Sequence, residues 1–136
     1  MKIKSLFLTL LAVIVCFAYP INACAETSNT AELRDIATVT SSVTKSGSSL
    51  ICKTGATFSG DVTKIEVGQI LQQKVAGLWI PTAQYQNTVY SYATTVKNTY
   101  NSYVSGRSYR LYSIVKAYKG STLSGTYTIY SSTLVA

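Results

Sequence analysis

Residues 106–120 read GRSYRLYSIVKAYKG, and their alternation decides the fold. Tyr109, Leu111, Ser113, Val115 and Ala117 fall on one side, and Arg110, Tyr112, Ile114, Lys116 and Tyr118 on the other. A period of two belongs to an extended strand with one buried face. Gly106 and Gly120 bound it as turn residues.

The pattern continues outward in both directions. Residues 123–134 (LSGTYTIYSSTL) read as a last strand after the Gly120–Ser121 turn. Upstream, Tyr90, Tyr92, Thr94 and Val96 alternate with Ser91, Ala93, Thr95 and Lys97 as one strand. Leu78, Trp79 and Ile80 start another, which Pro81 limits to an edge or a short run. Residues 64–78 fit two descriptions. Val67, Ile70, Leu71, Val75 and Leu78 have helical spacing, whereas Ile65, Val67, Leu71 and Gln73 suit a strand kinked at Gly68. Strand-like flanks favour the second. Residues 50–59 read as a strand with a bulge expected at Gly55, and Gly60–Asp61 as a hairpin-type turn. Residues 36–43 (IATVTSSV) suit a first, edge strand. Six to seven short strands separated by turns predict a single all-β domain, an antiparallel sandwich over residues 48–136.

Tyr109 sharpens this to an immunoglobulin-like or fibronectin-like sandwich. A tyrosine at the start of the penultimate strand is the place of the tyrosine corner in such domains. Leu111 stands two residues later, where antibody domains carry a cysteine. Cys52 is therefore expected to pack against Leu111 without a bond. Trp79 is expected either to fill the core or to sit at a sheet edge.

The N-terminus reads as an export signal over residues 1–25. Lys2 and Lys4 precede an apolar run at residues 6–17, and Ala23-Cys24-Ala25 has the small-x-small form of a cleavage site after Ala25. The run is about 12 residues long, short of the roughly 20 that span a bilayer. The expectation is a secreted protein with no transmembrane segment after cleavage. The alternative is a lipid anchor through Cys24. Residues 26–47 form a Ser/Thr-rich lead-in.

Composition excludes several chemistries. The chain has no histidine, which removes Ser-His and Cys-His nucleophile pairs and the commonest metal ligand. Beyond the signal only Cys52 remains, so no internal disulfide forms; a buried thiol is expected. Asp61 and Glu66 are the only acids beyond the lead-in, and five residues across a turn is not the arrangement of a glycosidase pair. No metal-ligand spacing or phosphate-cradling glycine loop occurs. The sequence points to no enzyme and no cofactor.

The chain resembles a family of small secreted Firmicutes proteins known only as a domain of unknown function. Carrying the resemblance are Cys24-Ala25-Glu26, Leu71-Gln72-Gln73-Lys74 with Gly77 and Trp79, Gly106-Arg107-Ser108-Tyr109-Arg110, and Ala117-Tyr118-Lys119-Gly120. It covers roughly residues 52–130. It implies a β-sandwich, and hence a strand at residues 64–78. It implies no activity. The family's glutamate before the last strand is absent here, where Thr122-Leu123-Ser124 stand.

What remains is binding. From Val67 onward there are six basic residues and no acid, and ten tyrosines lie between Tyr85 and Tyr130. Tyrosine orders cheaply and keeps a polar tip, which suits recognition surfaces. Arg110, Tyr112, Lys116 and Tyr118 share the outward face of one strand and form the candidate ligand surface. The expected partner is an anionic cell-wall polymer, a glycan or another secreted protein, not nucleic acid. The same tyrosines also suit cross-strand pairing that stabilises the sheet. Two other functions fit the composition: a structural, self-associating surface protein, and a cationic antimicrobial protein of bacteriocin type.

Overall fold

A computed structural model describes residues 37–136. The expected signal with its expected cleavage after Ala25, the alternative anchor at Cys24 and the first part of the lead-in lie outside the described residues. Eight strands make up the described chain: β1 (Thr38–Ser46), β2 (Ser49–Thr57), β3 (Lys64–Val75), β4 (Leu78–Val89), β5 (Ala93–Tyr100), β6 (Ser108–Lys119), β7 (Thr122–Tyr130) and the short β8 (Leu134–Val135). They form two antiparallel sheets, ordered β1-β2-β5 and β4-β3-β6-β7, with β8 beside the start of β6. This is the order of an immunoglobulin-like sandwich in its fibronectin-like form, with the fourth strand joined to the sheet of the third and sixth.

Three hairpins and three crossings produce it. β1–β2, β3–β4 and β6–β7 are tight hairpins within one sheet. Gly47 and Gly120 supply left-handed turn residues for the first and third. At the β3–β4 turn both Ala76 (φ 49°) and Gly77 (φ 80°) are left-handed, the requirement of a two-residue turn that matches strand twist. Residues 64–75 are therefore extended, and their helical spacing is overridden by pairing to β4 on one side and β6 on the other. β4 is an edge strand, so Pro81 disturbs no inner ladder; the register slips beside it, between Leu71 and Gln72.

Four sequence expectations are corrected. Gly60–Asp61 is not a hairpin turn, because β2 and β3 lie in different sheets and the chain crosses between them there. Gly55 carries no bulge: it pairs in continuous register with Thr40 and Thr95. The irregularities fall instead between Leu71 and Gln72 and between Ala117 and Tyr118. Gly68 does not kink β3, whose inward set Ile65, Val67, Gln69 and Leu71 runs straight through it. Tyr90–Lys97 is not one strand: the chain leaves the four-stranded sheet after Val89 and joins the other at Ala93. β1 starts near the expected edge strand but runs on to Ser46, and it extends the sandwich N-terminal of Ser48.

The core is apolar at both ends and polar in the middle. One cluster holds Ala56, Phe58, Ile65, Val67, Val96, Val115, Ala117 and Tyr127; the other holds Val43, Leu50, Cys52, Leu71, Tyr109 and Leu111. Between them every inner strand contributes one polar side chain. Thr54 and Ser113 hydroxyls lie 2.7 Å apart, and Ser113 and Ser41 hydroxyls 2.9 Å apart. Gln69 Nε2 donates to Thr54 Oγ1 at 2.8 Å, and Asn98 Nδ2 donates to Gln69 Oε1 at 2.7 Å and to Asn87 Oδ1 at 3.1 Å. Thr54, Gln69 and Ser113 are fully buried, so the mutual bonds offset desolvation that would otherwise be costly.

The tyrosine corner is present. Buried Tyr109 accepts a hydrogen bond from the Val104 N–H at 2.7 Å and donates to Gln73 Oε1 at 2.7 Å, tying the 101–107 crossing to the sheet. Cys52 and Leu111 pack in one cluster with no bond, and burial pushes the Cys52 thiol up to about 11.

Candidate functional site

The outward side of the four-stranded sheet carries all four expected surface residues. Inward burial of Tyr109, Leu111, Ser113, Val115 and Ala117 turns Arg110, Tyr112, Lys116 and Tyr118 outward. Alternation fixes their order, and the six residue steps from Arg110 to Lys116 span about 20 Å of strand.

The four are not one continuous platform. At one end the Arg110 guanidinium lies between two rings, 4.4 Å from the Trp79 centroid and 4.3 Å from that of Tyr130. Arg110 Nε donates to Gln72 Oε1 at 2.7 Å, which fixes the plane of the fork. Tyr130 stacks in turn on Tyr112, with centroids 4.5 Å apart. Tyr112 is thereby only 2% exposed, so it supports the stack from beneath and offers no ring to a ligand. Lys74 extends the cluster, its ammonium 5.7 Å from the Trp79 centroid. Of the two placements expected for Trp79, the edge is the one realised.

At the other end Tyr118 is held by β3. Its hydroxyl donates to Glu66 Oε2 at 3.0 Å, and the Lys64 ammonium sits 4.1 Å from its ring centroid while pairing with Glu66 at 3.4 Å. Burial first, and then the Glu66 carboxylate, push the Tyr118 phenol above its usual value. Lys116 lies one step inward on the same strand, opposite Glu66 in register. Ile70, Ile114 and Gly68 separate the two ends.

The sequence pattern on β6 missed Trp79, Tyr130 and Gln72. The turn at Ala76–Gly77 carried the signal for the first. It sets Trp79 opposite Lys74, hence on the face of Gln72 and Arg110. The other acid of the fold, Asp61, pairs with Lys119 at 2.8 Å; hydrogen bonds from Lys119 and then Ser59 hold its carboxyl below the usual range. Neither Asp61 nor Glu66 faces a second carboxylate, and among the described residues no three acids or cysteines converge to hold a metal ion.

No family model matches the chain, and no curated protein matches it.

Proposed function

We propose that the protein is a secreted, non-enzymatic binding module that takes an extended anionic glycan on the outward face of its four-stranded sheet. The observation that carries this reading is Arg110, clamped between Trp79 and Tyr130 on the solvent side of the sheet. An arginine needed only for solubility gains nothing from a fixed plane, whereas a planar, oriented fork suits a carboxylate or sulfate. Tyr130, half exposed, presents a ring beside it, and Lys116 and Tyr118 offer a second contact about 20 Å along β6. That separation favours an oligosaccharide over a single sugar. Secretion follows from the leader pattern at residues 1–25.

Retention on purified peptidoglycan and on glycan arrays, at low and high salt, tests the reading. Arg110→Ala and Lys116→Ala are expected to abolish retention that the parent shows. Failure of the parent to bind any polymer would sink it.

A second reading, self-association, has its own support. The β3–β4 hairpin leaves Leu78 68% and Ile80 43% exposed at an edge strand, and unpaired edges invite pairing between copies. A mass that rises with concentration, and that Leu78→Lys suppresses, distinguishes it from glycan binding.

A further inference from the structure

We propose that the opposite face of the sandwich, the outward side of β1-β2-β5, is a separate docking surface for a linear phosphate polymer. This inference does not rest on the glycan site. Lys53 and Lys97 are direct partners on adjacent antiparallel strands, both exposed, with Ser42 completing the row on β1. Like charges placed directly opposite are destabilising. β1, β2 and β5 contain no Asp or Glu that would relieve the pair. Both side-chain carboxylates among the described residues are engaged elsewhere, Asp61 by Lys119 and Glu66 by Lys64. The face thus presents two exposed lysines at directly paired positions, whose charge an anion from outside the fold would neutralise.

The next row indicates the shape of that anion. It runs Thr40, Gly55, Thr95. Gly55 has no side chain, and a Cβ there would lie 2.7 Å from Thr40 Oγ1, so the Thr40 hydroxyl overhangs the glycine. The row sets a threonine on each side of the glycine, with the Thr40 hydroxyl lying over it, next to the lysine row and about 7 Å from it. The only aromatic residue of these strands, Tyr100, lies on the inward register opposite buried Leu50. The strands of this face therefore carry lysines and hydroxyls outward and no outward ring. A thin, ring-free chain fits it. Phosphate suits it better than carboxylate, because tetrahedral oxygens reach two ammonium groups and a hydroxyl from one centre.

The experiment uses purified protein and two labelled probes, linear inorganic polyphosphate and hyaluronate, titrated across a salt series. Lys53→Gln/Lys97→Gln is expected to weaken polyphosphate binding roughly tenfold at low salt and to lower its salt slope by about the share of two charges. Lys45→Gln/Arg107→Gln removes the same charge elsewhere, at the inward-register position of β1 opposite Leu50 and in the turn before β6, and is expected to change polyphosphate binding less than about twofold. Any hyaluronate binding is expected to be unaffected by Lys53→Gln/Lys97→Gln, and its absence would count against the glycan site alone. Equal weakening of polyphosphate by both pairs, or none by the first, overturns the proposal. The thermal midpoint reports folding, and it is expected not to fall, because the first pair of changes removes a repulsion.

Discussion

The Arg110 guanidinium stands 4.4 Å from the Trp79 ring centroid, on the solvent side of the sheet and not in the core. Trp79 is the only tryptophan of the chain, so its emission reports this contact directly. Arg110→Ala is expected to shift the native emission and to cost about 1–2 kcal/mol, because stem packing and the cation–π contacts to Trp79 and Tyr130 go together. Arg110→Lys keeps the charge but loses the planar fork, and it is expected to recover less than half of that stability. Fluorescence spectra with urea unfolding measure both. An unchanged spectrum in Arg110→Ala would show that the stack does not persist in solution.

The polar layer across the core makes a different prediction. Thr54→Val removes the hydroxyl shared by Ser113 and Gln69 and leaves both buried groups short of a partner. The expected cost is about 1–3 kcal/mol, large for so nearly isosteric a change. Gln69 and Asn98 touch at 2.7 Å, so the cost of Gln69→Leu/Asn98→Leu is expected to fall below the sum of the single changes. A double-mutant cycle by urea unfolding decides it. Additive costs would mean that the layer is a set of independent bonds.

The strand period in residues 106–120 was enough to place Tyr109 and Leu111 inward and Arg110 and Lys116 outward, because a half-buried strand writes its two faces into alternate positions. Residues 64–75 were less legible. β3 is an inner strand covered on its inward face and flanked on both sides, so its apolar residues need not avoid helical spacing; pairing partners far along the chain settle it. The crossing at Tyr90–Tyr92 left no mark, since alternation is kept while the chain changes sheets. The site was half legible for the same reason. Arg110 was visible as an outward residue, but its clamp depends on Trp79 and Tyr130, which long-range register brings beside it from β4 and β7.

Two glycines separate tolerated from untolerated substitutions. A Cβ at Gly125 would lie 2.9 Å from Tyr127 Oη and 3.0 Å from its ring, and that buried ring is packed on Phe58 with centroids 5.2 Å apart. Gly125→Ala is expected to destabilise by about 1–3 kcal/mol, as overpacking does where the neighbour cannot move. At Gly68 the nearest atom, 3.2 Å away, is the Oε1 end of exposed Gln86, which can swing aside. Gly68→Ala is expected to stay within about 0.5 kcal/mol of the parent. Thermal unfolding of the two variants compares them, and equal losses would contradict the packing around Tyr127.

Alkaline pH is expected to weaken the fold before acid does. Burial raises the Cys52 thiol from 9.0 to about 11, so the unfolded chain releases this proton first. Between about pH 9 and 11 the unfolded state then binds fewer protons than the native one, and stability falls as pH rises. Desolvation also raises Tyr85, Tyr100 and Tyr118 above 10.0, which extends the fall in the same direction. Urea midpoints measured from pH 7 to pH 11 are expected to be flat at first and then to drop above pH 9. Cys52→Ala is expected to lower stability at pH 7 by leaving a small cavity while removing the earliest part of the alkaline drop. Alkylation of native Cys52 at pH 8 is expected to follow the opening of the fold, since the thiol is fully buried and protonated there. Rapid alkylation of the native protein would show instead that the cluster of Leu50, Cys52 and Leu111 opens locally.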